Sequence, residues 1–324
     1  MTGHSGVWPD STTIEAAAAR IRPHTFRTPL LANAALSEAV GTEILLKCEN
    51  HQAGGAFKAR GACNAVFSLS EEEAACGVAT HSSGNHAIAL ARAARLRGIP
   101  AHVVMPEGAA RAKRAGAAAE GARIFDCPPT MEGRIQTLEA VMADTAATLV
   151  HPYEDPRVIA GQGTVGLELA ASLRAGDTVL VPLGGGGLIS GVGLYLRQQR
   201  SDVRLIGVEP SGADDALRSL RAGRVVPVSP NTIADGLRAT VGELNRQIID
   251  QVVDDILTVE DEAILAAMEA VWRHSHMQVE PSAVVGVAAL MAGRLRPAGR
   301  VISILTGGNV DVGAFDFWQG SVQA

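Results

Sequence analysis

The chain has 324 residues, of which 47% are hydrophobic, 19% charged and 3% aromatic. This length and composition predict a folded α/β protein with a large core and exclude a disordered or fibrous chain. The formal charge of −6, from 28 basic and 34 acidic residues, gives no reason to expect nucleic acid or an anionic membrane as a partner.

The termini and cysteines indicate where the protein resides. No apolar run is long enough to cross a bilayer, and the first residues lack the basic start and apolar stretch of a secretion signal. Cys48, Cys63, Cys76 and Cys127 are scattered, without a Cys-x-x-Cys pair. We therefore expect buried or half-buried free thiols and a cytoplasmic protein.

Short apolar runs alternate with helix-length segments along the chain. The runs predicted to be strands are 44–48, 101–105, 122–126, 178–183, 204–209 and 301–306. The predicted helices are 85–97, 131–146, 163–174, 188–200, 260–275 and 282–293, and 108–122 is read as a helix and turn. The strands lack in–out alternation, which indicates parallel strands covered on both faces. We expect open, mostly parallel sheets flanked by helices.

The first of four loops at predicted strand–helix junctions contains Lys58. Ligands of open α/β sheets bind at such junctions. Small residues around Lys58 leave room for a planar ligand beside Phe57. Partial burial and the nearby Arg60 are expected to lower the pKa of the lysine so that it can form an imine. Taken alone, the segment favours the alternative, a surface lysine on a turn.

The second loop, residues 81–86, opens a helix. Free backbone N–H groups at a helix N-terminus suit a substrate carboxylate, and the hydroxyls of Ser82 and Ser83 and the amide of Asn85 add donors. An ordinary serine N-cap is the equally favoured alternative.

The third and fourth loops follow later strands. Four consecutive glycines, Gly184 to Gly187, expose N–H groups that suit the phosphate of a monophosphate cofactor, since the Lys-Ser/Thr of a nucleoside-triphosphatase loop is missing. A close-packed turn is the alternative. Thr306, in the loop Thr306-Gly307-Gly308-Asn309, could bond a ring nitrogen, although a polar turn would be favoured if this loop stood alone.

Acidic residues and histidines elsewhere carry weaker signals. Glu209 and Asp215 could hold a hard cation through oxygen ligands, but two carboxylates six residues apart are weak support. The pair Asp214-Asp215 is expected to be solvated. His81 and His86 lack partners with zinc spacing.

Together and in this order, the loops resemble fold-type II pyridoxal phosphate enzymes, and within them the serine racemase and serine/threonine dehydratase family. The matching strings run from about Thr28 to about Trp318 and include GAFKARGACNAV, THSSGNHA, VPLGGGGL, TIADGL, EPSAVVGVAAL and TGGNVDV. The resemblance implies a two-lobed α/β fold like that of the tryptophan synthase β chain. Residues 1–70 and 151–324 would form the large cofactor-binding domain, and residues 71–150 a small mobile domain. It also implies a homodimer.

The resemblance further implies roles for individual residues. Lys58 would hold pyridoxal phosphate as a Schiff base and serve as acid and base on one face of the cofactor, and Ser83 would carry a proton on the opposite face. The implied cofactor contacts are Phe57, Lys58, Asn85, Gly184, Gly185, Gly186, Gly187, Gly236, Glu280 and Thr306. The implied substrate contacts are Ser82, Ser83, Asn85, His86 and Arg134, and the implied Mg²⁺ or Mn²⁺ ligands are Glu209, the carbonyl of Ala213 and Asp215.

The activity implied by the resemblance is β-elimination. A small β-hydroxy amino acid such as serine, threonine or 3-hydroxyaspartate would give a 2-oxo acid and ammonia. Amino-acid racemisation by Lys58 and Ser83 is the main alternative, and a non-catalytic regulator that binds the cofactor or an amino acid is another. Ile135 replaces an acidic residue of the racemase pattern, which weakens the racemase interpretation, and Ala56 replaces a frequent serine.

Overall fold

The computed structural model describes residues 8–315 and 317. The α-helices are Ser11–Ile21 (α1), Ala34–Val40 (α2), Lys58–Ser68 (α3), Glu71–Ala75 (α4), Asn85–Arg97 (α5), Arg111–Ala119 (α6), Met131–Thr145 (α7), Pro156–Ala170 (α8), Gly187–Gln199 (α9), Asp215–Ala222 (α10), Glu243–Val252 (α11), Asp261–Ser275 (α12) and Val285–Met291 (α13). The strands are Leu30–Ala32 (β1), Ile44–Lys47 (β2), Val78–His81 (β3), Ala101–Pro106 (β4), Arg123–Cys127 (β5), Thr148–Leu149 (β6), Thr178–Pro182 (β7), Arg204–Pro210 (β8), Asp255–Val259 (β9) and Val301–Ile304 (β10).

The strands form two sheets. A six-stranded sheet has the order β1-β2-β10-β7-β8-β9 and is parallel except for the antiparallel edge strand β1. A four-stranded parallel sheet has the order β5-β4-β3-β6. The predicted α/β fold with two mostly parallel sheets flanked by helices is therefore confirmed.

Residues 71–150, which carry the four-stranded sheet, are called the small unit below, and the rest of the described chain is called the large unit. These bounds are those of the predicted domains, whose mobility stays a prediction.

Both faces of the six-stranded sheet are covered, which explains why its strands are apolar throughout. In β7, Val179 and Val181 pack into one cluster with residues of α1, α8 and α9, whereas Leu180 packs into another with residues of α2, α12 and α13. Successive side chains of a strand point to opposite faces, so each face needs its own apolar set.

Two details of the sequence predictions are wrong. The helix predicted at 163–174 spans Pro156–Ala170, because Asp155 caps its N-terminus and Pro156 occupies its first turn. Cys76 is exposed, whereas the other three thiols are buried and all four are free, as predicted. None of the helices in the described part of the chain has the length and apolar character that a transmembrane span requires.

Candidate functional site

The first and fourth loops are joined to each other at the carboxyl end of β10. Ala56 forms an isolated β-bridge with Gly307, and the Phe57 amide donates to the Thr306 carbonyl at 3.0 Å. The loop turns sharply at Gly55, whose φ of 76° favours glycine. This pairing places Lys58, the first residue of α3, next to Thr306.

Helix α3 is held against α8 by direct backbone contact. A Cβ atom on Gly161 of α8 would lie only 2.6 Å from the Arg60 carbonyl oxygen and from Gly61 Cα. A side chain there would push the helices apart, so glycine lets α3 pack closely and fixes the direction from which Lys58 leaves it.

Lys58 forms no salt bridge with any carboxylate in the described part of the chain. Its Nζ donates to the Pro152 carbonyl at 2.7 Å and lies 5.1 Å from the centre of the Phe57 ring. Burial lowers the pKa of Lys58 to about 8, against the opposing effect of the Glu280 carboxylate. Burial was predicted as a cause of this shift together with Arg60, but Arg60 does not contribute, because it pairs with Glu49 and Glu168.

The glycine run, Gly184 to Gly187, packs against Tyr153, the residue that follows Pro152. A Cβ atom on Gly185 would be 2.5 Å from the Tyr153 ring, so this turn is close-packed on one side. At the same time Gly186 is the N-cap of α9, and no side chain caps that helix. Its first N–H groups therefore lack side-chain partners, as an anion site requires.

The Ser82–His86 segment also ends in an uncapped helix. Gly84 is the N-cap of α5 and no side chain caps it, so the alternative of a serine N-cap is wrong. Ser82 and Ser83 are half-buried in the loop between β3 and α5. The free backbone N–H groups of the first turn of α5 are therefore available to a carboxylate.

Two buried imidazoles and one half-buried imidazole lie close together near Lys58. His86 approaches the Val150 carbonyl through Nε2 at 3.3 Å, and burial, then the Lys58 charge, lower its pKa well below the usual value. Burial lowers the pKa of His151 to about 4, and it also lowers that of His81, whose ring lies 5.3 Å from that of His151. Burial therefore favours the neutral form of all three imidazoles, so they add no positive charge beside Lys58.

Glu280 and the amides of Asn85 and Asn309 form a hydrogen-bonded group. Glu280 Oε1 accepts from Asn85 Nδ2 at 2.7 Å, and Asn85 Oδ1 accepts from Asn309 Nδ2 at 3.0 Å. A Cβ atom on Gly307 would lie 2.6 Å from Glu280 Oε1, so this group adjoins Thr306.

Gly236 borders the glycine run. Its amide donates to Ser282 Oγ at 2.8 Å, and a Cβ atom on Gly184 would lie 3.4 Å from its carbonyl oxygen. The sequence-predicted residues of the four loops, together with Gly236 and Glu280, are thus brought together around one cleft.

Arg134 stands in the first turn of α7 and is half-buried. Its Nε is buried without a hydrogen-bond partner, and no salt bridge of the described residues involves it. Its charge adds to burial in lowering the pKa of His81, so the guanidinium lies within electrostatic range of the cleft. Arg134 is a cation near the site that has no carboxylate of its own.

The acidic pair predicted to bind a cation lies at the end of β8 and just beyond it. Glu209 is fully buried and accepts from the amides of Ala216 and Leu217, both at 3.0 Å. Asp215 is 1% exposed, so the expectation that it is solvated is wrong. Burial raises the pKa of Glu209 to about 8 and that of Asp215 to about 6.

Ala213 is buried in the turn between these two acids. The described residues contain no group of three or more histidine, cysteine, aspartate or glutamate side chains arranged around a metal position. A cation here would therefore depend on two carboxylates and backbone oxygen.

A protein-family model described as pyridoxal-phosphate dependent enzyme matches residues 21–307. The chain belongs to this family. It is 44% identical over 313 residues to serine racemase of Arabidopsis thaliana, covering 94% of each chain. It is 46% identical over 299 residues to β-hydroxyaspartate dehydratase of Paracoccus denitrificans, covering 92% of this chain and 95% of the relative. The structure of maize serine racemase matches with a TM-score of 0.92 and 41% identity, covering 97% of each chain. The resemblance seen in the sequence is confirmed.

The cleft fits the cofactor of this family. A phosphate suits the uncapped N-terminus of α9, and an aldehyde suits an amine whose pKa lies near 8. Pro152 and Tyr153 connect the two features, because the Pro152 carbonyl accepts from Lys58 and the Tyr153 ring packs on Gly185. We therefore assign pyridoxal phosphate to this cleft, and the roles of single residues toward it stay proposals.

Sequence reasoning missed two charged residues that lie beside Glu280. Lys113 Nζ lies 2.6 Å from Asp235 Oδ2 and 3.2 Å from Glu280 Oε2. The segment around Lys113, RAKRAG, reads as an exposed basic helix, and nothing in it predicts that this side chain is buried. Asp235 precedes Gly236 in a string that matched the family, and this adjacency was the one available signal.

Proposed function

We propose that the chain is a pyridoxal-phosphate-dependent ammonia-lyase that dehydrates a small β-hydroxy amino acid, with 3-hydroxyaspartate as the favoured substrate. The observation that carries this choice is Arg134, a guanidinium near the cleft without a carboxylate partner in the described part of the chain. Serine and threonine have one carboxylate, whereas 3-hydroxyaspartate has a second one that Arg134 would bind.

The chain's residues divide the work of the reaction. Pyridoxal phosphate, when bound, draws electron density away from the α-carbon of an amino acid. The first N–H groups of α5, including those of Asn85 and His86, bind the α-carboxylate. Lys58 removes the α-proton, and its lowered pKa suits a base at neutral pH. The β-hydroxyl leaves as water, and one water adds when the enamine product hydrolyses to a 2-oxo acid and ammonia.

Arginine suits the second carboxylate because its planar guanidinium binds carboxylates through two parallel hydrogen bonds. The relative from Paracoccus denitrificans is named for a dehydratase of a β-hydroxy dicarboxylic amino acid, which supports the same substrate class. Its identity of 46% over 92% of this chain makes the comparison relevant to the cleft.

The test is the release of 2-oxo acid from both enantiomers of serine and threonine and from the stereoisomers of 3-hydroxyaspartate. We expect the highest kcat/KM for one isomer of 3-hydroxyaspartate. Arg134→Met should lower that value about 100-fold, since an unpaired charged hydrogen bond costs about 2–3 kcal/mol, and should leave serine within a few-fold.

Arg123→Met, which removes an exposed arginine of the small unit, is the matched control and should change neither substrate. Equal losses of kcat/KM on all substrates would show that Arg134 does not bind the second carboxylate. No 2-oxo acid from any substrate would refute the lyase assignment.

Racemisation is the second candidate, favoured by the relative from Arabidopsis thaliana, which is named serine racemase. Ser83 would supply the proton on the face opposite Lys58. Ser83→Ala should then abolish interconversion of L- and D-serine, followed by chiral chromatography, while elimination from one enantiomer persists. Equal loss of both activities would contradict this role of Ser83.

We further propose that Glu209, Asp215 and the Ala213 carbonyl bind Mg²⁺ or Mn²⁺. Oxygen ligands of this kind suit hard divalent cations. Both carboxylates are buried, and neither has a salt-bridge partner among the described residues. A cation would provide the missing compensation of charge.

Three further proposals concern the whole protein: a cytoplasmic location, a homodimer, and movement of residues 71–150 against the rest. The free thiols, three of them buried, support a reducing compartment. Sedimentation velocity measures the assembly, and a monomer at micromolar concentration would contradict the dimer.

A further inference from the structure

Lys113 connects the small unit to the large unit through two carboxylates. It belongs to α6, whereas Asp235 and Glu280 belong to two short turns of the large unit. The side chain of Lys113 is 3% exposed. Among the ion pairs formed within residues 8–315 and 317, the two of Lys113 are those that cross between the units. Both pairs therefore exist only while the units are docked.

Glu280 transmits this contact to Asn85. Glu280 accepts from Asn85 Nδ2 through one oxygen and faces Lys113 with the other. An ionised carboxylate is an acceptor only, so it selects the amide orientation in which Nδ2 points toward it. A protonated Glu280 would also donate, and the amide of Asn85 could then turn over.

The charge on Glu280 depends on Lys113. Burial raises the pKa of Glu280, the nearby Asp235 raises it further, and Lys113 opposes both. Burial by itself would lower the pKa of Lys113, but Glu280 and Asp235 outweigh this effect and the pKa is raised. Lys113 is consequently a lasting cation, and its removal would leave Glu280 beside another acid without compensation.

The stem of Lys113 also borders the loop that begins α5. A Cβ atom on Gly84, the N-cap of α5, would lie 3.9 Å from Lys113 Cδ. One lysine thus touches both the segment assigned to the substrate carboxylate and the acid that orients Asn85.

We propose that Lys113 is a positioning residue: by pairing with Asp235 and Glu280 when the units dock, it keeps Glu280 an acceptor and so fixes the amide of Asn85 toward the cofactor ring. This inference rests on the assignment of Asn85 to the cofactor. The ion-pair partners of Lys113 are Asp235 and Glu280, and its effect on the reaction would pass through Glu280.

Hydrogen exchange of the apoprotein tests the docking step without any reaction. Lys113→Met should make residues 111–119 and 233–237 exchange about tenfold faster or more, since one partner of a buried pair is lost. Arg114→Met is the matched control. It changes the next residue of α6, whose partner Asp126 lies 2.7 Å away within the small unit. Unchanged exchange in Lys113→Met, or an equal increase in Arg114→Met, would overturn the proposal.

The visible absorption of the bound cofactor tests the positioning step. Lys113→Met should shift intensity from the long-wavelength band of the holoenzyme to a shorter-wavelength band, because the amide of Asn85 is no longer fixed. Lys113→Arg should restore most of the spectrum. Asp235→Asn leaves the Glu280 pair and removes an acid that raises the Glu280 pKa, so its spectrum should stay close to that of wild type. Faster exchange with an unchanged spectrum would make Lys113 merely structural and would overturn the inference.

Two outcomes separate this inference from the proposed function. If Lys113→Met does not fold, Lys113→Gln decides, and identity with wild type in both measurements overturns the inference. A wild-type protein that shows these effects but releases no 2-oxo acid from any hydroxy amino acid would refute the lyase while supporting the role of Lys113.

Discussion

Lys58 and Arg60 lie two residues apart in the first turn of α3, but Arg60 pairs with carboxylates whereas Lys58 donates to a backbone carbonyl. Arg60 is 1% exposed and donates to Glu49 and to Glu168 through short hydrogen bonds of 2.7 to 3.0 Å. Lys58 donates to a neutral carbonyl, and no salt bridge of the described residues involves it. One helix turn thus carries a compensated cation and an uncompensated amine.

The difference separates groups that stabilise the fold from groups that take part in chemistry. The two carboxylates keep Arg60 charged and outweigh the effect of burial on its pKa. Burial without such partners lowers the pKa of the Lys58 amine to about 8. Buried or half-buried charged groups that form no salt bridge within the described residues are therefore where a ligand is expected to bind. Arg134, Glu209 and Asp215 share this property.

The largest expected effect is on catalysis. Lys58→Ala should lower the release of 2-oxo acid by about 10³-fold or more, because general acid–base catalysis alone contributes about 10²–10⁴-fold. The variant should also lack the visible absorption of the cofactor–lysine adduct, while its denaturation midpoint stays close to that of the wild-type apoprotein. Activity of Lys58→Ala within tenfold of wild type would show that Lys58, like Arg60, takes no part in the reaction.

The next effect is on stability. Arg60→Met should lower the free energy of unfolding by about 3–5 kcal/mol, because Glu49 would remain buried without its main partner. Arg95→Met, which breaks the exposed pair with Glu120, should cost no more than about 1 kcal/mol. Urea denaturation monitored by circular dichroism gives both values. Equal losses would show that burial of the ion pair does not matter here.

A smaller effect concerns pH. The neutral amine is the form that attacks an aldehyde, so capture of pyridoxal phosphate by the apoprotein should accelerate as pH rises and level off above about 8, the pKa of Lys58. Nα-acetyl-lysine, the control amine, should continue to accelerate to about pH 10.4. Stopped-flow absorbance follows both reactions. A plateau shared with the control would mean that burial leaves the Lys58 pKa at its usual value.

The smallest effect concerns the acidic pair. Mg²⁺ should raise the melting temperature by a few degrees, and EDTA should reverse the rise, since a ligand that binds only the folded state stabilises it. Asp215→Asn should abolish the response, whereas Asp214→Asn, whose partner is Arg218, should keep it. Differential scanning fluorimetry measures the shift. An unchanged response in Asp215→Asn would place the cation elsewhere.

The sequence by itself determined the architecture and most of the cleft. Uninterrupted apolar strands such as 178–183 predict parallel sheets covered on both faces, and the strand–turn–helix context locates the loops of Lys58 and Gly184 to Gly187. These are local signals, because periodicity, turn residues and helix starts depend on neighbours along the chain. The short strands β1, β3, β6 and β9 were missed, since runs of two to five residues show no clear period.

Only the tertiary structure decided which charges have partners. The acids that pair with Arg60 and Lys113 come from distant positions in the chain, as Glu168 and Glu280 show. No local pattern reports such distances, so the sequence wrongly added Arg60 to partial burial as a cause of the low pKa of Lys58, and it predicted a solvated Asp215. Compensation of buried charge depends on contacts between remote segments, and these exist only in the folded chain.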